Sequence, residues 1–253
     1  MNKEIPQILR YAYEHNVETT IDEGANLNDV SDESLEALVR YQTSILRCAI
    51  DGVTQSTYEK YRVGANLKKV IANIKKINSF KAAYRSLKPV LIFQFVIFGH
   101  NEHETERAKL LASMLKMKLN YKLNFSENFP VQNRDKIRAL LGYSDRKEYM
   151  EKEGRHYMRN QCYEMWIRPQ INWDGKLLGC SRNFWGFYSE NVFQNDLIAN
   201  INNEKISYAR DMLMGLKPLY EDIPCKNCGI YKSLAKNNSW ITEAELKEHQ
   251  KHS

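Results

Sequence analysis

Ser44-Ile-Leu-Arg-Cys-Ala-Ile50 is a short apolar run that stops at Asp51-Gly52, and a helical repeat follows it at Leu67, Val70, Ile71, Ile74 and Ile77. The same alternation extends to both sides. Upstream, Ile5, Ile8, Leu9 and Ala12 have helical spacing over Ile5 to His15, with Pro6 suited to a first turn. Val17 to Ile21 is β-rich and is closed by the Glu23-Gly24 corner, and Ser31-Asp-Glu-Ser-Leu35 resembles a capped helix start. Downstream, Val90 to Phe98 predicts a third strand, Glu104 to Met117 a helix and Leu119 to Phe125 a fourth strand. Strands alternating with helices of this length imply βαβ units and a parallel sheet, so the first half is expected to be an α/β layer.

The rhythm breaks between Phe125 and Arg159, where Pro130, several Asn and a dense charged run predict a linker with short helices. Beyond it, Glu164 to Trp173 and Lys176 to Gly179 flank Asp174-Gly175, a dipeptide that accepts the positive φ angles of a tight turn. A β-hairpin with Cys180 just past its second arm is expected. Asn203 to Leu216 should be helical, and Thr242-Glu-Ala-Glu245 is a capping box that opens a short, charged final helix. The expected division is residues 1–125, a linker over 126–159, and a small α+β domain over 160–253.

A chain of 253 residues with 43% hydrophobic content can bury a proper core. Thirty-seven Lys and Arg against 31 Asp and Glu give +6, but the charges are dispersed through amphipathic segments, which argues against a nucleic-acid site. No stretch approaches the ~18 apolar residues of a membrane span; the longest such run, Val90 to Phe98, is interrupted by Gln94. Met1-Asn-Lys-Glu-Ile-Pro has no apolar signal region, so the cytoplasm is expected. In that reducing compartment, five cysteines with one C-x-x-C favour metal or redox chemistry over disulfides.

Four of the five, Cys162, Cys180, Cys225 and Cys228, fall in the last third of the chain. Thiolates are soft ligands, and this set could converge on a tetrahedral or cubane site if the hairpin lies against the Cys225-Lys-Asn-Cys228 loop. Structural zinc often uses two close knuckles, whereas one pair here is spread over a hairpin, which tilts the reading toward an iron–sulfur cluster without closing the zinc alternative. Cys48, mid-strand, is expected to be a core thiol. The aromatic series Trp166, Trp173, Phe184, Trp185, Phe187 and Tyr188 is expected to pack the small domain. The histidines are scattered, with His249 and His252 in an expected frayed tail, and they form no set with carboxylates.

Cys162-x12-Gly175-x4-Cys180 resembles the opening signature of the SPASM/twitch extensions of radical S-adenosylmethionine (SAM) enzymes, and Cys225-x-x-Cys228 resembles its second element. Ala49-Ile-Asp-Gly52-Val-Thr-Gln-Ser-Thr-Tyr-Glu-Lys-Tyr-Arg-Val-Gly64 is similar to the fourth-strand segment of such enzymes. Leu91 to Glu102, ending Gly99-His-Asn-Glu102, is similar to their fifth. The resemblance runs from about Ile5 to Leu234. It implies a partial radical SAM barrel followed by a SPASM/twitch domain. One auxiliary [4Fe–4S] cluster would be held by Cys162, Cys180, Cys225 and Cys228, because no further cysteines follow Cys228.

The family's C-x3-C-x2-C loop, whose cluster chelates and cleaves SAM, has no counterpart here, nor has its Gly-Gly-Glu-Pro segment. Met1-Asn-Lys-Glu-Ile-Pro resembles the text that follows that segment, so the chain is expected to be the C-terminal part of such an enzyme. SAM and a second [4Fe–4S] cluster would belong to the complete parent, which would form a 5′-deoxyadenosyl radical and abstract hydrogen from a peptide or a sugar or cell-surface precursor. A flavodoxin- or ferredoxin-type protein would be its reductant. By resemblance the SAM-facing positions are Arg62, Gln94 and Glu102, together with Glu23 and the 49–51 turn. Arg62 could instead be an ion-pair partner and Gln94 a polar group satisfied inside the barrel. The alternative function is a non-catalytic module stabilised by zinc or a cluster.

Overall fold

A computed structural model describes residues 2–125, 127–194 and 196–250, and the chain divides into two compact units, 2–145 and 146–250. The division falls between Asp145 and Arg146, inside the segment expected to be a linker.

The first unit runs α1 (Ile5–Glu14), β1 (Thr20–Ala25), α2 (Asp32–Arg40), β2 (Ile45–Ala49), α3 (Gln55–Tyr61), α4 (Leu67–Ala83), β3 (Val90–Val96), α5 (Thr105–Met114), β4 (Lys118–Lys122) and α6 (Arg134–Leu141). All four strands are parallel and lie in sequence order, β1-β2-β3-β4. That order arises when every crossover steps the same way, with no reversal in the sheet.

Side-chain parity divides the sheet into two faces. Leu46, Cys48, Leu91, Phe93 and Phe95 form one face and are buried, as are the apolar stripes of α2 (Leu35, Leu38, Val39) and α4 (Val70, Ile74, Ile77). On the other face Arg47 pairs with Asp22 at 2.8 Å and donates to Asn120 Oδ1 at 3.0 Å. In register there, Gln94 stands between Ala49 and Asn120. One face is therefore core and the other polar. Cys48 is the expected core thiol, and burial pushes its pKa up to about 12.

Two local expectations are corrected. The Glu23-Gly24 corner does not end β1; the strand continues to Ala25 through a register break after Ile21, with Gly24 at φ +95°. A bulge absorbs the glycine instead of terminating the pairing. Helix α3 was not expected from the pattern, and Thr54 starts it by accepting from Thr57 N.

The second unit contains α7 (Arg146–Glu153), α8 (Glu164–Ile167), β5 (Gln170–Ile171), β6 (Leu177–Gly179), α9 (Leu197–Ile201), α10 (Glu204–Leu213), α11 (Gly229–Asn237) and α12 (Glu243–Gln250). β5 and β6 form the expected antiparallel hairpin, shorter than its sequence span, with Gly175 at φ +85° in the turn. The capping box holds: Thr242 N donates to Glu245 Oε2 and Glu245 N to Thr242 Oγ1. The core joins Met165, Leu177, Tyr188, Ile206, Leu213 and Ile230 with Cys162 and Cys228.

The tail is not frayed at His249, whose ring meets Tyr163 edge-on at 5.0 Å; His252 lies outside the described residues. The aromatic series also splits. Tyr188 is buried, but Trp173 is 92% and Phe184 84% exposed, because Trp173 rides the hairpin turn and Phe184 only meets the edge of Trp185. No helix among the described residues is long and apolar enough to cross a membrane.

Arg159, 5% exposed, donates to Trp240 O at 2.9 Å and to both carboxylate oxygens of Glu245 at 2.9 and 2.8 Å. Partial burial raises the Glu245 pKa, but the Thr242 N–H, Arg159 and the Thr242 hydroxyl outweigh it and hold the group below 4.5. A depressed folded pKa contributes stability that is complete above the unfolded value and is lost as pH falls through the folded one. Urea midpoints of the wild type should therefore drop more steeply below pH 4.5 than those of Glu245→Gln. Parallel pH profiles of the two proteins would exclude this contribution.

Candidate functional site

The three positions expected from resemblance to face SAM sit at the C-terminal end of the sheet, and two of them are engaged by the protein itself. Arg62 donates to the buried Asp51 from Nε at 2.8 Å and from its terminal nitrogen at 2.6 Å, so the ion-pair reading describes it. Glu102 accepts from Gln132 N and Asn133 N, both at 2.9 Å, just before α6, and Lys136 Nζ donates to its carbonyl. Gly99 belongs to the same clamp: its N–H donates to Phe129 O, and a Cβ there would lie 2.0 Å from Pro130 O. Gln94 differs, being only 7% exposed with an Oε1 that lacks a hydrogen-bond partner among the described residues. The alternative that Gln94 is a polar group satisfied inside the sheet is therefore not met at Oε1, while its Nε2 lies close to Gly24.

In the second unit, Cys162, Cys180, Cys225 and Cys228 line one narrow pocket. Each comes from a different local setting. Cys162 lies in the 3₁₀ turn Arg159–Tyr163 that runs into α8, Cys180 follows β6, Cys225 sits in the 3₁₀ turn Pro224–Asn227, and Cys228 caps α11.

Residues that the spacing does not reveal hold these segments together. Glu164, 7% exposed, accepts from Ser181 N at 2.6 Å and Ser181 Oγ at 3.0 Å, tying the turn after Cys180 to the helix after Cys162. Trp185 Nε1 donates to Pro224 O at 2.9 Å beside Cys225. Gly186 is needed there, because a Cβ would come within 2.9 Å of Pro224 Cγ. Arg210 anchors α10 to Met165 O at 2.9 and 2.7 Å. Tyr188 places its hydroxyl 3.2 Å from Cys225 Sγ.

The donor set fits a soft-metal centre. Burial pushes the Cys162 thiol well above its usual range, and Cys225, Cys180 and Cys228 add to the effect. Burial pushes Cys225 up to about 12 and raises Cys180, the nearby backbone N–H groups of Arg182 and Asn183 opposing the rise. Buried, mutually repelling thiols become thiolates when a cationic centre offsets their charge. The N-terminus of α11, beginning at Gly229, adds a positive end of a helix dipole next to Cys228. Arg182 Nε, a pocket donor, is buried with no acceptor among the described residues, which suits an anionic group. Among those residues no three His, Cys, Asp or Glu gather closely enough to share a single metal ion.

No family model and no curated protein matches the chain. Among solved structures it is similar to SuiB of Streptococcus suis bound to S-adenosylmethionine, with a TM-score of 0.59 and 13% identity over 91% of this chain. A second SuiB structure gives a TM-score of 0.55 at 13% identity over 83% of this chain. The alignments cover 57% and 54% of those chains, so the protein spans little more than half their length. At this identity the likeness concerns the fold alone.

Proposed function

We propose that this chain is the auxiliary-cluster portion of a radical SAM enzyme of the SPASM/twitch kind, with Cys162, Cys180, Cys225 and Cys228 holding one [4Fe–4S] cluster. The observation that carries the reading is the meeting of these four thiols in one pocket from turns and ends far apart in sequence. A zinc tetrahedron with Zn–S near 2.3 Å would need sulfurs about 3.8 Å apart. Structural zinc often uses two close knuckles, whereas Cys162 and Cys180 here are separated by a whole hairpin, which favours a centre that spreads its ligands over several irons. When bound, such a cluster supplies one-electron transfer.

The chain's own residues supply the rest of the site. Glu164, Trp185 and Arg210 fix the turns that carry the thiols, while Met165, Leu213 and Ile230 keep the pocket apolar. In the parent enzyme, hydrogen abstraction by a 5′-deoxyadenosyl radical would act on a peptide or a sugar or cell-surface precursor. SAM and the cluster that cleaves it would need a C-x3-C-x2-C loop, which this sequence does not contain. Gln94, with its unpartnered Oε1, is the residue of this chain proposed to face SAM; Arg62 and Glu102 support the surrounding loops. A cytoplasmic setting with a flavodoxin- or ferredoxin-type reductant agrees with five unpaired thiols.

Anaerobic reconstitution tests the assignment. About four iron and four sulfide per chain, with a broad visible absorption, are expected. A colourless protein carrying stoichiometric zinc would reject it in favour of a zinc-stabilised binding module.

A further inference from the structure

Tyr188 and Tyr231 both line the pocket, and Tyr188 sets its hydroxyl beside a thiol in a position the cluster assignment does not require. Tyr188 is 5% exposed, and its hydroxyl stands 3.2 Å from Cys225 Sγ. Its backbone is fixed from two directions: Tyr188 N donates to Leu177 O at 2.7 Å, and Asn203 Nδ2 donates to Tyr188 O at 3.1 Å. The ring lies over Gly179, where a Cβ would come within 2.7 Å of Tyr188 Cε2 and 2.6 Å of Met165 Sδ. Gly179, at φ +80°, is thus required both by the backbone turn and by the seat of the ring. A buried phenol usually finds a partner, and among the described residues this one finds a sulfur.

We propose that Tyr188 is a positioning residue that sets the redox poise of the auxiliary centre through an O–H···S bond to Cys225. The inference rests on the cluster assignment above. An iron-bound cysteine sulfur carries no proton, so the hydrogen of this pair is the phenol's and the sulfur accepts. Donation withdraws charge from the sulfur and stabilises the reduced, more negative state, raising the reduction potential. The proton stays on the phenol oxygen in both redox states. Only one electron moves, from an external reductant to the cluster.

The test is a dithionite-poised redox titration of the reconstituted full chain against Tyr188→Phe, which keeps the ring and its packing. Equal iron and sulfide content, a lower midpoint and a severalfold smaller reduced fraction at the wild-type midpoint are expected. Pulsed EPR of the reduced protein after solvent deuteration should show an exchangeable hydrogen coupling that Tyr188→Phe lacks. An unchanged midpoint with iron retained would overturn the proposal.

Should Tyr188→Phe fail to take up iron, protein grown with 3-fluorotyrosine carries the test. The more acidic phenol should raise the midpoint, and no movement would sink the idea. Failure of the wild-type chain to take up iron would reject the cluster assignment itself, a separate outcome.

Discussion

Asp51→Ala is expected to destabilise the first unit by about 3–5 kcal/mol, the range for breaking a buried charge pair from one side. Asp51 is fully buried at the end of β2. Its Oδ1 accepts from Val96 N at 2.7 Å, and its Oδ2 accepts from Arg62. The Asp51 carbonyl accepts from Asn101 Nδ2 at 2.9 Å; the same nitrogen donates to Val96 O, and Asn101 Oδ1 accepts from Phe98 N. The ends of β2 and β3 are thus joined through one carboxylate and one amide. Burial pushes the Asp51 pKa up, and Arg62 and the Val96 N–H oppose it. Alanine would strand the Val96 N–H and leave the half-buried guanidinium without its counter-ion.

Asp51→Ala/Arg62→Met should recover part of the loss, because it removes both members of the pair. Urea denaturation of the three proteins measures this. A loss below 1 kcal/mol in the single variant, or no recovery in the double, would show that water satisfies the pair.

The same network shows why the strands were legible while their ends were not. β2 and β3 are interior strands of a parallel sheet, and such strands read as apolar runs from sequence alone. Their C-terminal loops are different. Glu102 is expected from resemblance to face SAM and Gly99 lies in the same resembling stretch, yet in the fold both clamp the 129–133 segment, and only the approach of Pro130 O explains why position 99 must lack a side chain. Helix α3 was illegible because Gln55-Ser-Thr-Tyr-Glu-Lys-Tyr61 has no apolar stripe. It is held by Thr54, by Gln55 donating to Ala65 O, and by Leu67 N donating to Gln55 Oε1. Those contacts cross a loop and leave no periodicity.

For the thiol pocket, soft-ligand chemistry and spacing single out the same four cysteines that share the pocket, because the capacity to ligate is a property of residue type. The supporting side chains carry no such signal. Arg182 and Tyr188 line the pocket and Glu164 braces it through Ser181, and nothing in their sequence neighbourhoods separates them from ordinary surface or core residues. Tyr188 was read only as a packing aromatic, and its hydroxyl's partner became visible once the 225 turn lay across it.

Under the proposed assignment, that arrangement would tie the stability of the second unit to a bound cluster. Cys162 and Cys228, 6% and 8% exposed, are part of the core, and the four thiol-bearing segments meet through the pocket. A bound cluster would cross-link the 3₁₀ turn before α8, the hairpin end and the start of α11, restricting the unfolded chain while offsetting thiolate repulsion in the folded one. Amides at 159–188 and 223–231 should therefore exchange on the order of 100-fold faster or more in the apo protein than in the reconstituted one, corresponding to at least about 2.7 kcal/mol of lost protection. Residues 20–122 should exchange equally in both, since that unit has its own core. Cys225→Ala should reproduce the apo pattern under reconstitution conditions, together with loss of visible absorption. Equal protection in loaded and apo protein would mean that the pocket is a preformed scaffold whose folding owes nothing to the metal, and it would place the stabilising role on Glu164, Arg210 and the Arg159–Glu245 pair instead.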